Sequence, residues 1–371
     1  MELFRNNGYI YSVSPEGGEL FFDHSKEKRS GHLGHAMVEY KPGKILDFFP
    51  NCSGDGWNGH NGNGWMDFCR SEDAGETWSA PEPFPYSKTL YDLNIGITSM
   101  CEKAVCTDSG KVIVFNVICD IIKSNGCGWE PFGIPTFVCT FDGGKSWSKA
   151  ERVGTRRGRI YDACYKDGTV FVLLEQGTDT NRGTHCEYHL FCSTDDGVTF
   201  EERSILPLCS RFDASCFYGA LVWLPDGKLA TYIYYDCDDE FHIPYTVSTD
   251  NGKTWGIPEV AFFAKRIRNM QIATLNGTYF CAGRSGSHGE IEEKEHNIVY
   301  CSADGIHWDE GHYLKKCIAG CGAYSNFLLV KGTENPYLLY QASWAYEKSR
   351  TNIYHWRFTA EPDVKQENLQ E

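Results

Sequence analysis

Two residues with acid–base chemistry share one register in this sequence. Tyr324 lies eight residues before Gly332, and His35 lies eight residues before Gly43. A tyrosine hydroxyl, whose ordinary pKa is about 10, needs a base or a cation beside it to act as a nucleophile or an acid. Histidine is the natural partner near neutral pH. The register predicts that both side chains face one pocket; the alternative for His35 is a hydrogen bond to a backbone group only.

A glycine-rich segment, residues 51–65, supplies further candidates. It contains Asp55 and His60, which can exchange protons with a substrate, and Trp57, which can stack on a sugar face. For Asp55 the alternative is a solvated turn, and for Trp57 it is packing inside the fold.

Three more polar residues fall near the same register. Asn269 lies eight residues before Gly277, and Arg159 begins the strand that ends at Gly168. His32 belongs to the same stretch as His35. Because arginine pairs bidentately with carboxylates, Arg159 favours an acidic ligand. The alternative for Arg159 is a solvated basic cluster.

A repeat defines the elements that position these residues. Five segments follow the pattern Ser/Thr-x-Asp, then Gly, Ser/Thr and an aromatic residue, the last in a shortened form; their aspartates are Asp73, Asp142, Asp195, Asp250 and Asp304. The carboxylate accepts backbone N–H bonds and the glycine adopts positive φ, which is typical of a tight turn. Strand-like residues precede each copy, and cysteine ends four of these five strands. Each copy is therefore predicted to be the tip of a β-hairpin, and the cysteines are predicted to be buried.

A second hairpin, two apolar stretches around a glycine turn, occurs six times. Two hairpins make a four-stranded antiparallel blade, and six blades of roughly 60 residues close into a β-propeller. The sequence thus predicts an all-β fold, with one six-bladed propeller over residues 1–361. Residues 362–371 are predicted to form a polar, disordered tail.

The five aspartate segments resemble the Asp boxes of the sialidase (neuraminidase) superfamily of six-bladed propellers. The stretch Ala323-Tyr324-Ser325 resembles the last blade of exo-sialidases, and the strand around Arg284 resembles one that carries an arginine of the sialidase triad. The resemblance implies that Tyr324 is the nucleophile, that Arg284 clamps a substrate carboxylate, and that the acid/base comes from the loop holding Asp55 and His60.

The chain also departs from the sialidase pattern. The first-blade arginine is absent, because the equivalent stretch reads His32-Leu33-Gly34-His35. Residues 268–271 lack the glutamate that activates the tyrosine. Another partner for Tyr324 is therefore expected, and His35 is the candidate.

Composition limits the classes of partner. The net charge of −15 argues against a general electrostatic grip on nucleic acid, and no apolar run approaches the ~20 residues that span a bilayer. The start of the chain lacks a signal-peptide pattern, and 17 cysteines suit reduced thiols, so a cytoplasmic location is expected. The sequence indicates no metal or organic cofactor, and it carries no sign of an oligomeric state.

Three functions are consistent with these residues. The first is a sialidase-type exo-glycosidase acting on a terminal acidic sugar. The second is a propeller enzyme of other chemistry, a uronate lyase or a rhamnosidase-like enzyme that relies on His, Tyr and Arg. The third is a non-catalytic propeller that binds glycans.

Overall fold

Short apolar stretches separated by glycine and aspartate turns form strands along the whole chain. The computed structural model describes residues 1–55, 61–122, 132–177, 186–208, 216–235, 241–285, 296–316, 324–347 and 350–364. Trp57 and His60 lie outside these ranges, as do residues 365–371.

The described strands are β1 (Glu2–Asn6), β2 (Tyr9–Phe22), β3 (Arg29–Ser30), β4 (Ala36–Lys41), β5 (Lys44–Ser53), β6 (Gly64–Ser71), β7 (Glu82–Pro83), β8 (Ile97–Cys106), β9 (Val112–Asp120), β10 (Thr136–Thr140), β11 (Glu151–Arg152), β12 (Gly158–Lys166), β13 (Thr169–Gly177), β14 (Cys186–Ser193), β15 (Glu201–Ile205), β16 (Cys216–Trp223), β17 (Leu229–Tyr235), β18 (His242–Ser248), β19 (Glu259–Phe262), β20 (Arg268–Leu275), β21 (Thr278–Ser285), β22 (His296–Ser302), β23 (His312–Lys315), β24 (Ser325–Val330), β25 (Tyr337–Glu347) and β26 (Arg350–Pro362). One short α-helix, α1 (Pro85–Asp92), and one 3-10 segment (His24–Glu27) accompany them. Among the described residues, no helix has the length and apolar character needed to cross a bilayer.

The strands form six antiparallel sheets, each of which is one blade of a propeller. Blades 1 to 5 are β3–β7, β8–β11, β12–β15, β16–β19 and β20–β23, and blade 6 combines β24–β26 with β1 and β2. The innermost strands β4, β8, β12, β16, β20 and β24 contact one another in sequence, and β24 contacts β4. This closed ring confirms the predicted all-β, six-bladed propeller.

The ring is closed by strands from both ends of the chain. β2 pairs with β26 from Tyr9 opposite Pro362 to Phe22 opposite Ile353, and β1 adds a fifth strand outside β2. The backbone N–H of Asp363 donates to the Gly8 carbonyl at 2.8 Å. Sequence reasoning had given the N-terminal strands no place; their role is to complete the last blade.

The aspartate segments form turns between the third and fourth strands of blades 1 to 5. In blade 2, the Thr140 hydroxyl donates to Oδ1 of Asp142 at 2.7 Å and accepts the N–H of Gly144 at 3.1 Å. Asp142 also accepts the N–H of Ser146 at 3.0 Å, and Gly144 has a φ of 79°. The same three bonds, with small shifts in register, recur around the other aspartates, Asp73, Asp195, Asp250 and Asp304.

The cysteines that end the third strands are buried free thiols: Cys69, Cys139, Cys192 and Cys301. Burial raises the pKa of each thiol above its ordinary value. The prediction that they serve as small packing residues is confirmed by this burial.

A buried polar network links the inner strands of all six blades. At its centre, the Lys103 ammonium lies 3.1 Å from Oδ1 of Asp162 and donates to Oδ1 of Asn326 at 2.8 Å. Three further hydrogen bonds complete the network. Lys103 donates to the amide oxygen of Gln271, the backbone N–H of Leu221 donates to Asp162, and the Asn326 amide donates to the backbone carbonyl of His35. Since every partner comes from a different blade, the network holds the blades together around the axis.

Candidate active site

The inner strands enclose a cavity at the end of the channel where they begin. Its lining residues come from all six blades: Gly34, His35, Glu102, Arg159, Tyr161, Tyr218, Asn269, Gln271, Tyr324 and Ser325. Tyr324 and His35 stand immediately before β24 and β4. Of the nine candidates from the sequence, four therefore line this cavity: Tyr324, His35, Asn269 and Arg159.

Backbone irregularities in four inner strands direct side chains into the cavity. The pairing register shifts around Glu102 in β8, Tyr161 in β12, Tyr218 in β16 and Asn269 in β20. Tyr218 and Asn269 have positive φ values of 47° and 54°. β-bulges commonly re-aim a side chain next to an active site, and strained backbone clusters at functional sites.

Tyr324 meets a second tyrosine across the channel. Its hydroxyl lies 2.6 Å from the Tyr218 hydroxyl. The Arg159 guanidinium carbon lies 5.6 Å from the centre of the Tyr324 ring and 5.7 Å from that of the Tyr218 ring. The two phenols therefore share one cation.

Arg159 is fixed by a buried carboxylate. Its Nε and Nη2 donate to the two carboxylate oxygens of Glu102 at 2.9 and 3.1 Å, a bidentate arrangement that sets the guanidinium plane. Burial alone would lower the pKa of Arg159, but Glu102 and the neighbouring tyrosines raise it well above its ordinary value. Arg159 is therefore a permanent cation of the cavity.

The two histidines beside Tyr324 are neutral. The ring of His32 packs edge-on against Tyr324 at 4.9 Å, and burial together with Arg284 holds the pKa of His32 well below its ordinary value. The Gln341 amide nitrogen lies 2.8 Å from Nδ1 of His35. Because an amide NH₂ group only donates, Nδ1 is the acceptor in this bond. Burial lowers the pKa of His35 to about 3, although the Gly31 carbonyl opposes this. This contact with the Gln341 side chain differs from the alternative of a hydrogen bond to a backbone group only. The catalytic role of His35 stays a prediction.

Arginines gather next to His32. Arg284 in β21 is buried and pairs in register with Arg268 in β20. Burial, Arg268 and Arg284 all lower the pKa of Arg266. The sequence analysis singles out Arg284 and misses Arg266 and Arg268, although Arg268 begins the stretch 268–271 that lacks the family glutamate and Arg266 lies two residues before it. A search for cations in and just before that stretch would have found them.

Asn269 presents an unsatisfied amide to the cavity. The residue is 3% exposed, and neither its amide oxygen nor its amide nitrogen has a hydrogen-bond partner among the described residues. Leaving buried polar groups unpaired costs about 1–3 kcal/mol. A ligand group that both donates and accepts would satisfy Asn269.

Asp55 is not among the described residues that line this cavity. It follows β5, its side chain is 89% exposed, and its Oδ1 lies 3.4 Å from Nη2 of Arg350. Trp57 and His60 are outside the described residues, so their predicted roles stay predictions.

Residue types that bind metals come together once in the described part of the chain, at Cys301, Asp309 and His312 of blade 5. Asp309 has a structural role in the blade, because its Oδ1 accepts the backbone N–H of Cys301 at 3.0 Å. At the equivalent place in blade 2, the Ser148 hydroxyl accepts the backbone N–H of Cys139. We therefore assign these residues to the blade rather than to a cofactor.

Comparison with known proteins supports the fold. No protein-family model matches the chain, and no curated protein matches it. A Dyadobacter fermentans protein of unknown function has a TM-score of 0.71 at 15% identity over 96% of this chain and 100% of its own. A Hadza microbial sialidase gives 0.66 at 14% identity (94% and 69%), and the Penicillium chrysogenum α-L-arabinanase complexed with arabinobiose gives 0.60 at 10% identity (95% and 99%). The chain thus has the propeller fold that sialidases and an arabinanase share.

Proposed function

We propose that the protein is a sialidase-like exo-glycoside hydrolase that releases a terminal acidic sugar, of the sialic-acid type, from oligosaccharides or glycoconjugates. The observation that carries the proposal is Tyr324 on the last blade, with its hydroxyl in the cavity, 2.6 Å from Tyr218 and beside Arg159. Sialidases use a tyrosine nucleophile where most glycosidases use a carboxylate.

In the proposed reaction, the Tyr324 oxygen bonds to the anomeric carbon while the bond to the aglycone oxygen breaks. The aglycone leaves with a proton from an acid, for which Asp55 and His60 are the candidates. Water then replaces Tyr324 on the sugar and gives up its proton to the same group. Arg284 clamps the sugar carboxylate bidentately, and Asn269 bonds to a sugar hydroxyl.

The carboxylates around the cavity support tyrosine chemistry over the usual pair of carboxylates. Among the described lining residues, Glu102 is the sole carboxylate. Both of its oxygens are bonded to Arg159, so it serves to hold that cation. Hydrolysis by two carboxylic acids needs a second carboxylate within 5–10 Å or so of the first across the sugar.

We further propose that the reaction needs no metal or organic cofactor and that the enzyme works in the cytoplasm on imported oligosaccharides or intracellular glycans. The buried thiols suit reducing surroundings.

The experiment is turnover of a fluorogenic sialoside by the wild type, by Tyr324→Phe and by a control, Tyr313→Phe. Tyr313 lies on the outer strand β23, away from the cavity. We expect Tyr324→Phe to abolish hydrolysis and Tyr313→Phe to retain it. Absorbance from an unsaturated product on a uronate-ended oligosaccharide would favour a lyase instead. Saturable sialoside binding without turnover would favour a glycan-binding propeller.

A further inference from the structure

We infer that Tyr218 is a second catalytic tyrosine, whose hydroxyl holds Tyr324 as a phenolate by donating a hydrogen bond to its reacting oxygen, with Arg159 as the neighbouring cation. The inference rests on the proposed function in taking Tyr324 as the nucleophile. It assigns the activation of Tyr324, for which the sequence offered only His35.

The contact between the two tyrosines spans the channel. Tyr218 belongs to blade 4 and Tyr324 to blade 6, so the hydrogen bond at 2.6 Å joins two blades that are not neighbours in the ring. Arg159 of blade 3 lies beside both rings, and Glu102 of blade 2 orients it. Four blades thus contribute to the surroundings of the tyrosine pair.

The backbone at Tyr218 is shaped for this contact. Tyr218 has a φ of 47°, a conformation that bulky residues avoid, although the next residue, Gly219, would adopt it at little cost. The register shift in β16 falls at the same residue. The strained conformation thus falls on Tyr218 and not on the glycine beside it. We take this to mean that the bulge serves to direct the Tyr218 side chain into the cavity.

Charge at the site favours a phenolate. The Arg159 guanidinium carbon lies 5.6 Å from the centre of the Tyr324 ring and 5.7 Å from that of the Tyr218 ring, and a cation at this distance favours a negative charge on a neighbouring group. The titratable and charged groups around Tyr324 are Tyr218 on β16, Arg159 and Tyr161 on β12, Glu102 on β8, His32 and His35 before β4, and Arg284 on β21. The histidines are neutral, so Glu102 is the one described negative group in this set, and it is held by Arg159.

The step balances without another reagent. The Tyr324 proton passes to solvent when the phenolate forms, and the Tyr218 proton remains on Tyr218 in the hydrogen bond. When the Tyr324 oxygen bonds to the anomeric carbon, its lone pair becomes that bond and the aglycone keeps the electrons of the broken one. Hydrolysis returns the phenolate, and Tyr218 is unchanged.

The test follows phenolate formation by ultraviolet absorbance as pH is raised, with no substrate present. In the wild type, one tyrosine should ionise before the others, and Tyr324→Phe should lose that phase. Tyr218→Phe and Arg159→Met should move the phase to higher pH. The control is Tyr245→Phe on the same blade as Tyr218: burial and Glu259 raise the pKa of Tyr245 to about 12, so removing it leaves the early phase intact.

In turnover, Tyr218→Phe should lower kcat about 10- to 100-fold, the effect of removing a hydrogen bond to a charged group, and should leave KM nearly unchanged. The pH at which kcat rises should move with the phenolate phase. A purely structural Tyr218 would lower the melting temperature and leave both the phase and the pH profile in place, which overturns the inference. If Tyr218→Phe does not fold, the absence of an early phase in the wild type, or its persistence in Tyr324→Phe, still refutes it.

Failure of the two proposals can be told apart. An early phenolate phase that depends on Tyr218, without hydrolysis of any sialoside, supports the tyrosine pair and refutes the proposed function. Sialoside hydrolysis that depends on Tyr324, with an unchanged phase in Tyr218→Phe, supports the function and refutes the pair.

Discussion

Replacing Lys103 with methionine tests the network on which the cavity rests. The Lys103 and Asp162 side chains are 11% and 10% exposed, and their charged atoms lie 3.1 Å apart. Methionine keeps most of the methylene packing but leaves Asp162 with only the backbone N–H groups of Ala163 and Leu221. Breaking a buried ion pair from one side costs about 3–5 kcal/mol, because an uncompensated charge stays buried.

The assay is equilibrium unfolding in denaturant, read as a shift in midpoint at constant slope. Lys103→Met should lose about 3–5 kcal/mol, and Lys103→Met/Asp162→Asn should lose less than the sum of the single variants, because residues in one network are coupled. The control is Lys88→Met, which removes an exposed helix pair with Asp92 and should change stability by about 0.5 kcal/mol or less. A loss below about 1 kcal/mol for Lys103→Met, or additive single effects, would refute the reasoning.

Three further outcomes are expected. The hydroxyl and backbone N–H of Thr254 lower the pKa of Asp250 to about 2. This carboxylate therefore stabilises the fold above its unfolded pKa of ~3.9 and loses that effect as pH falls toward 2. Asp250→Asn should flatten the plot of stability against pH in this window, and an unchanged plot would count against the turn. Burial lowers the pKa of His24 and of His35 to about 3 and holds that of His32 well below its ordinary value, whereas the histidines of the unfolded chain protonate near ~6.5. The unfolding midpoint should therefore fall as pH drops from ~6.5 toward 3, and His24→Gln should reduce this slope; a flat profile would contradict it. Burial raises the pKa of Cys281 well above its ordinary value, so a thiol reagent should label it only in denaturant, and rapid labelling of the native protein would show that the blade is open there.

The fold was predictable because its signals repeat. Each aspartate turn carries its own hydrogen-bonding residues, and each inner hairpin carries a glycine turn, so one reading applies to every blade. The pairing of β2 with β26 was not, since neither strand carries a local sign of a partner at the far end of the chain.

The site was predictable only as far as the register held. Counting from the turn glycines placed Tyr324, His35 and Asn269 at one level, and all three line the cavity. The bulges then decide which neighbouring residue turns inward, and a bulge has no clear mark in the sequence. In blade 4, the residue eight positions before the turn glycine Gly227 is Gly219, whereas the structure directs its neighbour Tyr218 into the cavity.

The contacts of His35 show the same limit. Its Nδ1 is bonded to Gln341 of β25, and the Gln341 oxygen lies 2.9 Å from Nε2 of His355 in β26. His355 in turn lies 2.9 Å from the buried carboxylate of Asp47 in β5. This chain joins two blades through residues far apart in sequence, so the sequence alone gave no reason to prefer it over a bond to Tyr324.

The most direct measurement is to trap the tyrosine. The protein is incubated with a fluorinated sialic acid that forms long-lived glycosyl-enzyme intermediates, and the adduct is located by intact mass and peptide mapping. The account predicts one added sugar per chain on the peptide that contains Tyr324, and none in Tyr324→Phe. An adduct on another residue, or hydrolysis of a sialoside by Tyr324→Phe at the wild-type rate, would contradict it.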